Sequence, residues 1–201
     1  MRATRSTLTL IAVLTLLGAL GGSARATVIV ALGFDELATQ AHRVVLGTVA
    51  TVDSRWTQRD GEATIETTID IAVEQELTDV SAGPVARIVQ QGGKVGDTEL
   101  VVTGMPEFTE GERVLVFLRG TGADEQGRTV YSVVGMAQGK FAVLPRLGGG
   151  FDAVQQLGVG LALAAMDEDG TIRPTEETAP IHMDLDVALA RIRKVRGEVM
   201  P

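Results

Sequence analysis

The sequence predicts a mainly-β protein, a small closed barrel with a short helix before it and another after it. The first sign is Thr64 to Leu77, TIETTIDIAVEQEL. Ile65, Ile69, Ile71, Val73 and Leu77 alternate there with Glu66, Thr68, Asp70, Glu74 and Glu76, the two-residue period of a strand with one dry face and one wet face. Burying five such side chains yields about 8–15 kcal/mol, whereas fixing fourteen backbones costs about 14–28 kcal/mol. The strand therefore needs neighbours on both edges and a second apolar layer. A strand longer than about 10 residues coils or carries a bulge, as in a barrel. The second sign is composition: 45% of residues are apolar but only 3% aromatic, so the core is built of Val, Leu and Ile, which suit strands. The third is a series of short apolar runs bounded by Gly and Pro. A β-sandwich is the alternative, since the same alternation serves both.

Residues 1–26 read as an export signal peptide. Arg2 and Arg5 precede an apolar run, Leu8 to Leu20, too short to span a bilayer comfortably, and Ser23-Ala24-Arg25-Ala26 has small residues where signal peptidase cuts. Cleavage leaves 27–201 as one domain, secreted or periplasmic, without a membrane span.

Thr27 to Leu32 (TVIVAL) is a first strand or a segment tucked against the barrel, broken by Gly33. Phe34 to Arg43 places Phe34, Leu37, Ala38 and Ala41 on one face of a short helix, with Asp35 and Glu36 at its positive end. Val44 to Val52 is a strand whose Gly47 signals a bulge or a close backbone approach. The turn Arg59-Asp60-Gly61 joins it to the long strand as a hairpin, leaving Trp56 in a loop. Val85 to Gln91 and Glu99 to Thr103 are further strands, Gly92 to Gly96 is a turn, and Phe108 plugs an end of the core. Glu112 to Leu118 (ERVLVFL) is almost continuously apolar, a central strand covered on both faces. Gly120 to Gly127 is a loop, and Thr129 to Val134 pairs with Gly139 to Leu144. Phe151 to Met166 is a strand or hairpin, and Asp167 to Pro180 an exposed loop. Asp184 caps a final helix, 184–196, with Leu185, Ala188, Leu189 and Ile192 on one face, basic residues at its end and Gly197 as its stop.

Loss of the leader removes three arginines and no acid, taking the net charge from −8 to −11. A polyanion is then repelled, which argues against nucleic acid as a partner. The chain has no cysteine, which excludes thiol catalysis and disulfides and leaves the core to hold the domain. His42 and His182 are the only histidines, and Ser54, Ser81 and Ser132 the only serines after the leader. Without a Gly-x-Ser-x-Gly elbow they suggest no triad. His42 is read as ending the first helix, at its negative pole. Zinc would need a carboxylate-rich site, so neither metal nor cofactor is expected. Asp167-Glu168-Asp169-Gly170 lacks the Gly and Glu of a calcium loop at the required spacings and is an acidic turn. Gly92-Gly93-Lys94-Val95-Gly96 lacks the P-loop spacing. The acidic face Glu66, Asp70, Glu74, Glu76 offers a dock for a basic partner or, the favoured reading, is charged simply to keep an exposed sheet face soluble. Arg55 with Trp56 in one loop, and Gln138 with Lys140 near another, are the candidate binding residues.

The order FDELATQAHRVVLGTVATVDSRW, TIETTIDIAVEQEL, GGKVG, FTEGERVLVFL, VVGMAQGKF resembles a group of exported bacterial β-rich proteins of uncharacterised function, over Phe34 to Val143. More distantly, a helix leading into a meander of short strands resembles the netrin-like modules and metalloproteinase inhibitors built on an OB-type barrel. That resemblance implies an OB-like barrel. It does not extend to the inhibitory mechanism, because those inhibitors chelate zinc through an N-terminal cysteine and this mature chain begins Thr27-Val28-Ile29. The functional expectation is a non-catalytic binding module engaging a secreted or envelope protein, with a carboxylate-based hydrolase as the alternative.

Overall fold

Asp60 and Gly61, with φ of 54° and 85°, reverse the chain in the two-residue loop whose twist matches that of a hairpin. They join the two longest strands of the molecule, β2 (Arg43–Arg59) and β3 (Glu62–Glu76). The computed structural model describes residues 27–78, 83–158, 161–166, 171–174 and 179–197. The signal peptide read at 1–26 and the acidic turn read at Asp167–Gly170 lie outside them. The other elements are β1 (Thr27–Val30), α1 (Phe34–Gln40), β4 (Val85–Gln91), β5 (Gly93–Val95), β6 (Thr98–Leu100), β7 (Arg113–Ala123) and β8 (Thr129–Val133). After a 3-10 turn at Met136–Gly139 come β9 (Lys140–Pro145), β10 (Phe151–Gln155), β11 (Leu161–Met166), β12 (Ile172–Pro174), β13 (His182–Asp184) and α2 (Leu185–Val195).

Five strands close into a ring in the order β7-β2-β3-β4-β8 and back to β7. All contacts are antiparallel except β4 with β8, which runs parallel through Arg87↔Val130 and Ile88↔Tyr131. The bonding is ring-like, that of a small five-stranded barrel rather than a sandwich. Outside the ring, β9 pairs with the first half of β7 while β8 takes the second half, and the sheet continues through β10 to β13. Separate pairings join β1 in parallel to β11, β11 to β12, and β5 to β6.

Strand β7 explains the layering. Val114, Val116 and Leu118 point into the barrel with Val45, Val49, Ile69, Ile71, Ile88 and Tyr131. Leu115 and Phe117 point the other way, into a second core under both helices. There the rings of Phe34, Phe117 and Phe141 meet edge to face at 5.4–5.7 Å, near the optimum for aromatic pairs. Gly47 sits at a register shift in β2, where a Cβ would collide with the Ala72 carbonyl. Asp184 caps α2 by accepting from the N–H groups of Asp186 and Val187. Arg191 pairs with Asp35 through two bonds of 2.6 and 3.0 Å, and Arg196 donates to the carbonyls of Ala38 and Ala41 at the end of α1.

Several boundaries differ from expectation, each for a tertiary reason. Helix α1 ends at Gln40 because Arg43 belongs to β2, buried, donating to Glu76 and to the carbonyls of Gly83 and Val85. His42 lies two residues past the end of the helix, and its Nδ1 accepts the Gly120 N–H at 3.1 Å. Trp56 lies in strand rather than loop, opposite Ile65. Of the loop expected from Gly120 to Gly127, Gly120 to Ala123 form the far half of β7, paired with β8, while Asp124 to Gly127 make the turn between them. Strands β8 and β9 do not pair with each other; each takes a different half of β7. The Gly92 to Gly96 turn contains β5, the strand read from Glu99 shrinks to β6, and residues 172–174 of the expected loop form β12. Phe151 to Met166 splits into β10 and β11, which join different sheets.

Candidate binding groove

The barrel closes through only two residue pairs between β4 and β8. Beyond Ile88 the strands part, and among the described residues Val89 to Gln91 have no strand partner on that side. Their backbone direction follows from the β3 ladder. Gly92 N–H donates to Ile65 and Val73 N–H to Pro84, so even-numbered residues of β4 exchange bonds with β3 and odd-numbered ones face away. The main chain of Gln91 and the carbonyl of Val89 therefore face the seam.

A cavity of about 430 Å³ occupies the seam, walled by Val89, Gln90, Met105, Pro106, Val133 and Met136. Gln90 Nε2 donates to the Pro106 carbonyl at 2.9 Å; because a carbonyl only accepts, the amide orientation is set. Gln90 Oε1 is left buried without a hydrogen-bond partner, which singles it out among the described side chains.

A second cavity, about 640 Å³, lies on the outer face of β2, β3 and β4 beneath the β7–β8 hairpin. The two cavities share Glu66, Val89 and Val130 as walls, so they adjoin across the seam, and together they are called the groove. The outer cavity gathers five carboxylates, Asp53, Glu66, Asp70, Asp124 and Glu125, against Arg55 and Arg87. Arg87 is held by Asp70 through bonds of 2.7 and 2.6 Å and by Asp124 at 3.2 Å. These carboxylates keep its guanidinium pKa raised, Asp70 foremost. Burial pushes the Asp124 carboxyl up, but the backbone N–H and guanidinium of Arg128 and the N–H of Gln126 outweigh it and hold the group below its ordinary range. Among the described residues Glu66 pairs with Arg55 alone, at 3.5 Å, and that guanidinium is largely exposed. Among the described residues, no hydrogen bond or ion pair reaches the carboxylates of Asp53 or Glu125.

The four residues singled out from sequence separate. Arg55 lines the acidic cavity. Trp56, 52% exposed, stands on the arm where β2 and β3 outrun β7 and β4. Gln138 and Lys140 are 1% and 2% exposed, so neither is offered to a ligand. Gln138 accepts from Leu32 N–H and donates to the Val30 carbonyl, fastening the first strand to the barrel. Lys140 Nζ donates to both Glu112 oxygens, Gln156 Oε1 and the Glu107 carbonyl, above the Phe108 ring. Of the acidic face, Glu66 and Asp70 line the groove, while Glu74 is bonded to Arg113 and Glu76 to Arg43. Asp124 and Glu125 escaped sequence reasoning because only the return of β8 to β4 brings their hairpin over β3.

Among the described residues, no three His, Asp or Glu side chains converge as metal ligands, and no helix is long and apolar enough to cross a membrane. The chain matches no protein-family model, no curated protein and no solved structure.

Proposed function

We propose that the protein is an exported, non-catalytic binding module that takes a segment of another secreted or envelope protein into the groove across the β4–β8 seam. The observation that carries this reading is that the two cavities adjoin, sharing Glu66, Val89 and Val130 as walls, since binding sites are concave and combine apolar walls with a few placed polar groups. Likeness to netrin-like modules supports it only at the level of the barrel.

Val89 points away from the barrel interior, so Val89→Phe fills the groove without entering the core. A random peptide library displayed on phage, panned on residues 27–201, is expected to yield peptides that bind the unsubstituted chain and not Val89→Phe. Recovery of no peptide above a blank surface, or equal binding by Val89→Phe, refutes the reading.

A carboxylate hydrolase is the second reading, because five carboxylates line the outer cavity. That chemistry needs one carboxyl held as a proton donor. Asp124 is held as the anion, and both oxygens of Asp70 accept from Arg87. Turnover of glycoside or ester substrates that Asp53→Asn abolishes would put the hydrolase first.

A further inference from the structure

The geometry points to one docking mode: an extended, basic polypeptide segment added as a strand along β4, pairing with the main chain of Val89 and Gln91 and setting a lysine or arginine among Asp53, Glu66 and Glu125. This rests on the binding reading above and specifies its ligand. The main-chain argument comes first. The β4–β8 ladder stops after Ile88, and the alternation fixed by Gly92→Ile65 and Val73→Pro84 turns the Gln91 N–H and C=O toward the seam. An extended chain satisfies such groups by strand addition, with main-chain bonds supplying affinity and alternate side chains supplying specificity.

Charge decides which side chain. Arg87 is already engaged by Asp70 and Asp124, so the charges left over in the groove are Asp53, Glu125 and the loosely held Glu66 against Arg55 and Arg59, an excess of acid. An acidic segment is repelled there and a basic one attracted. Residues two apart along an added strand point to the same side. An apolar side chain at that spacing from the basic one reaches the seam cavity beside Met105 and Met136.

The test uses peptides recovered from the displayed library and residues 27–201 of the chain. Gln91→Pro removes one seam-facing N–H while the β3-facing bonds of Gln90 and Gly92 stay in place; Gln91→Ala keeps that N–H. Binding is expected to fall at least tenfold in Gln91→Pro, to persist in Gln91→Ala, and to weaken about fivefold in Glu66→Gln and steeply with added salt. N-methylation of the peptide at alternate residues should abolish binding with a period of two, a readout that holds even if Gln91→Pro does not fold. Peptides that bind Gln91→Pro and every N-methylated form like the parent would overturn strand addition while leaving the binding reading intact. Peptides without Lys or Arg, indifferent to salt, would overturn the charge assignment. No recovered peptide at all would defeat both readings.

Discussion

Lys140→Met isolates the contribution of a buried charge. The Lys140 side chain is 2% exposed, with Nζ 2.8 Å from each Glu112 oxygen and 2.8 Å from Gln156 Oε1. Methionine fills nearly the same volume, so little is lost in packing. The loss is electrostatic: Glu112 keeps its charge without its partner, and removing one member of a buried pair costs about 3–5 kcal/mol. Glu112 is still 18% exposed, so water rehydrates part of it and the low end applies, about 3 kcal/mol. For a chain of this size that lowers Tm by about 6–12 °C, read by calorimetry at neutral pH. The double variant Lys140→Met/Glu112→Gln should recover most of the loss. A loss below about 1 kcal/mol, or a double variant no more stable than the single one, would refute the argument. The pH dependence offers a second check. Burial pushes the Lys140 ammonium below its ordinary 10.5, against the pull of Glu112. Between that depressed value and 10.5 the unfolded chain binds the proton more tightly. Stability from this group therefore rises with pH across that window and is lost as pH falls through the folded value. Lys140→Met should remove that slope.

Ile71→Asp places an unpaired carboxylate inside the barrel and should cost several kcal/mol of a total of about 5–15, visible as loss of the far-UV strand signal at room temperature. By alternation alone Asp70→Lys would be neutral, but Asp70 holds Arg87 through two bonds; a lysine there should cost about 1 kcal/mol, measured by urea titration. Asp184 caps α2 and pairs with Arg146, so thermal melts should rank the native residue above Asp184→Asn, which keeps the cap, and that above Asp184→Ala. Asp35 (through Arg191), Asp184 (through Arg146) and Asp124 (despite burial, through Arg128 and Gln126) are all held below the ordinary 3.8. Their stabilisation is complete above that value and lost as pH falls through the depressed ones, so acid titration of Asp124→Asn should show a shallower loss than the native chain.

What local pattern could determine, the sequence carried. Side-chain alternation in β3 has a period of two whatever lies opposite, so its buried face was legible, as Ile65, Ile69 and Ile71 show. The turn at Asp60-Gly61, the cap at Asp184, the stop at Gly197 and the close approach at Gly47 depend on residues within a few positions of one another, or on the absence of a Cβ. The double-sided burial of β7 was likewise written in its unbroken apolar run.

Long-range pairing was not written locally. Apolar content alone cannot say that β8 returns to β4 rather than to β9, because each strand offers the same backbone groups to any neighbour. Trp56 and the Gly120 to Ala123 segment read as loop from composition, but β3 and β8 supply ladders that override weak local preference. Gln138 and Lys140 looked like loop polar residues; only tertiary structure shows that their partners, Val30, Leu32, Glu107, Glu112 and Gln156, come from distant parts of the chain. The groove follows the same rule. Its acids come from β2, β3 and the β7–β8 hairpin, and they meet because a two-pair parallel closure brings the ends of the ring together and then stops. The sequence by itself determined which residues alternate, turn and cap. Closure of the barrel decided which of them share a surface, because that depends on contacts between residues far apart in the chain.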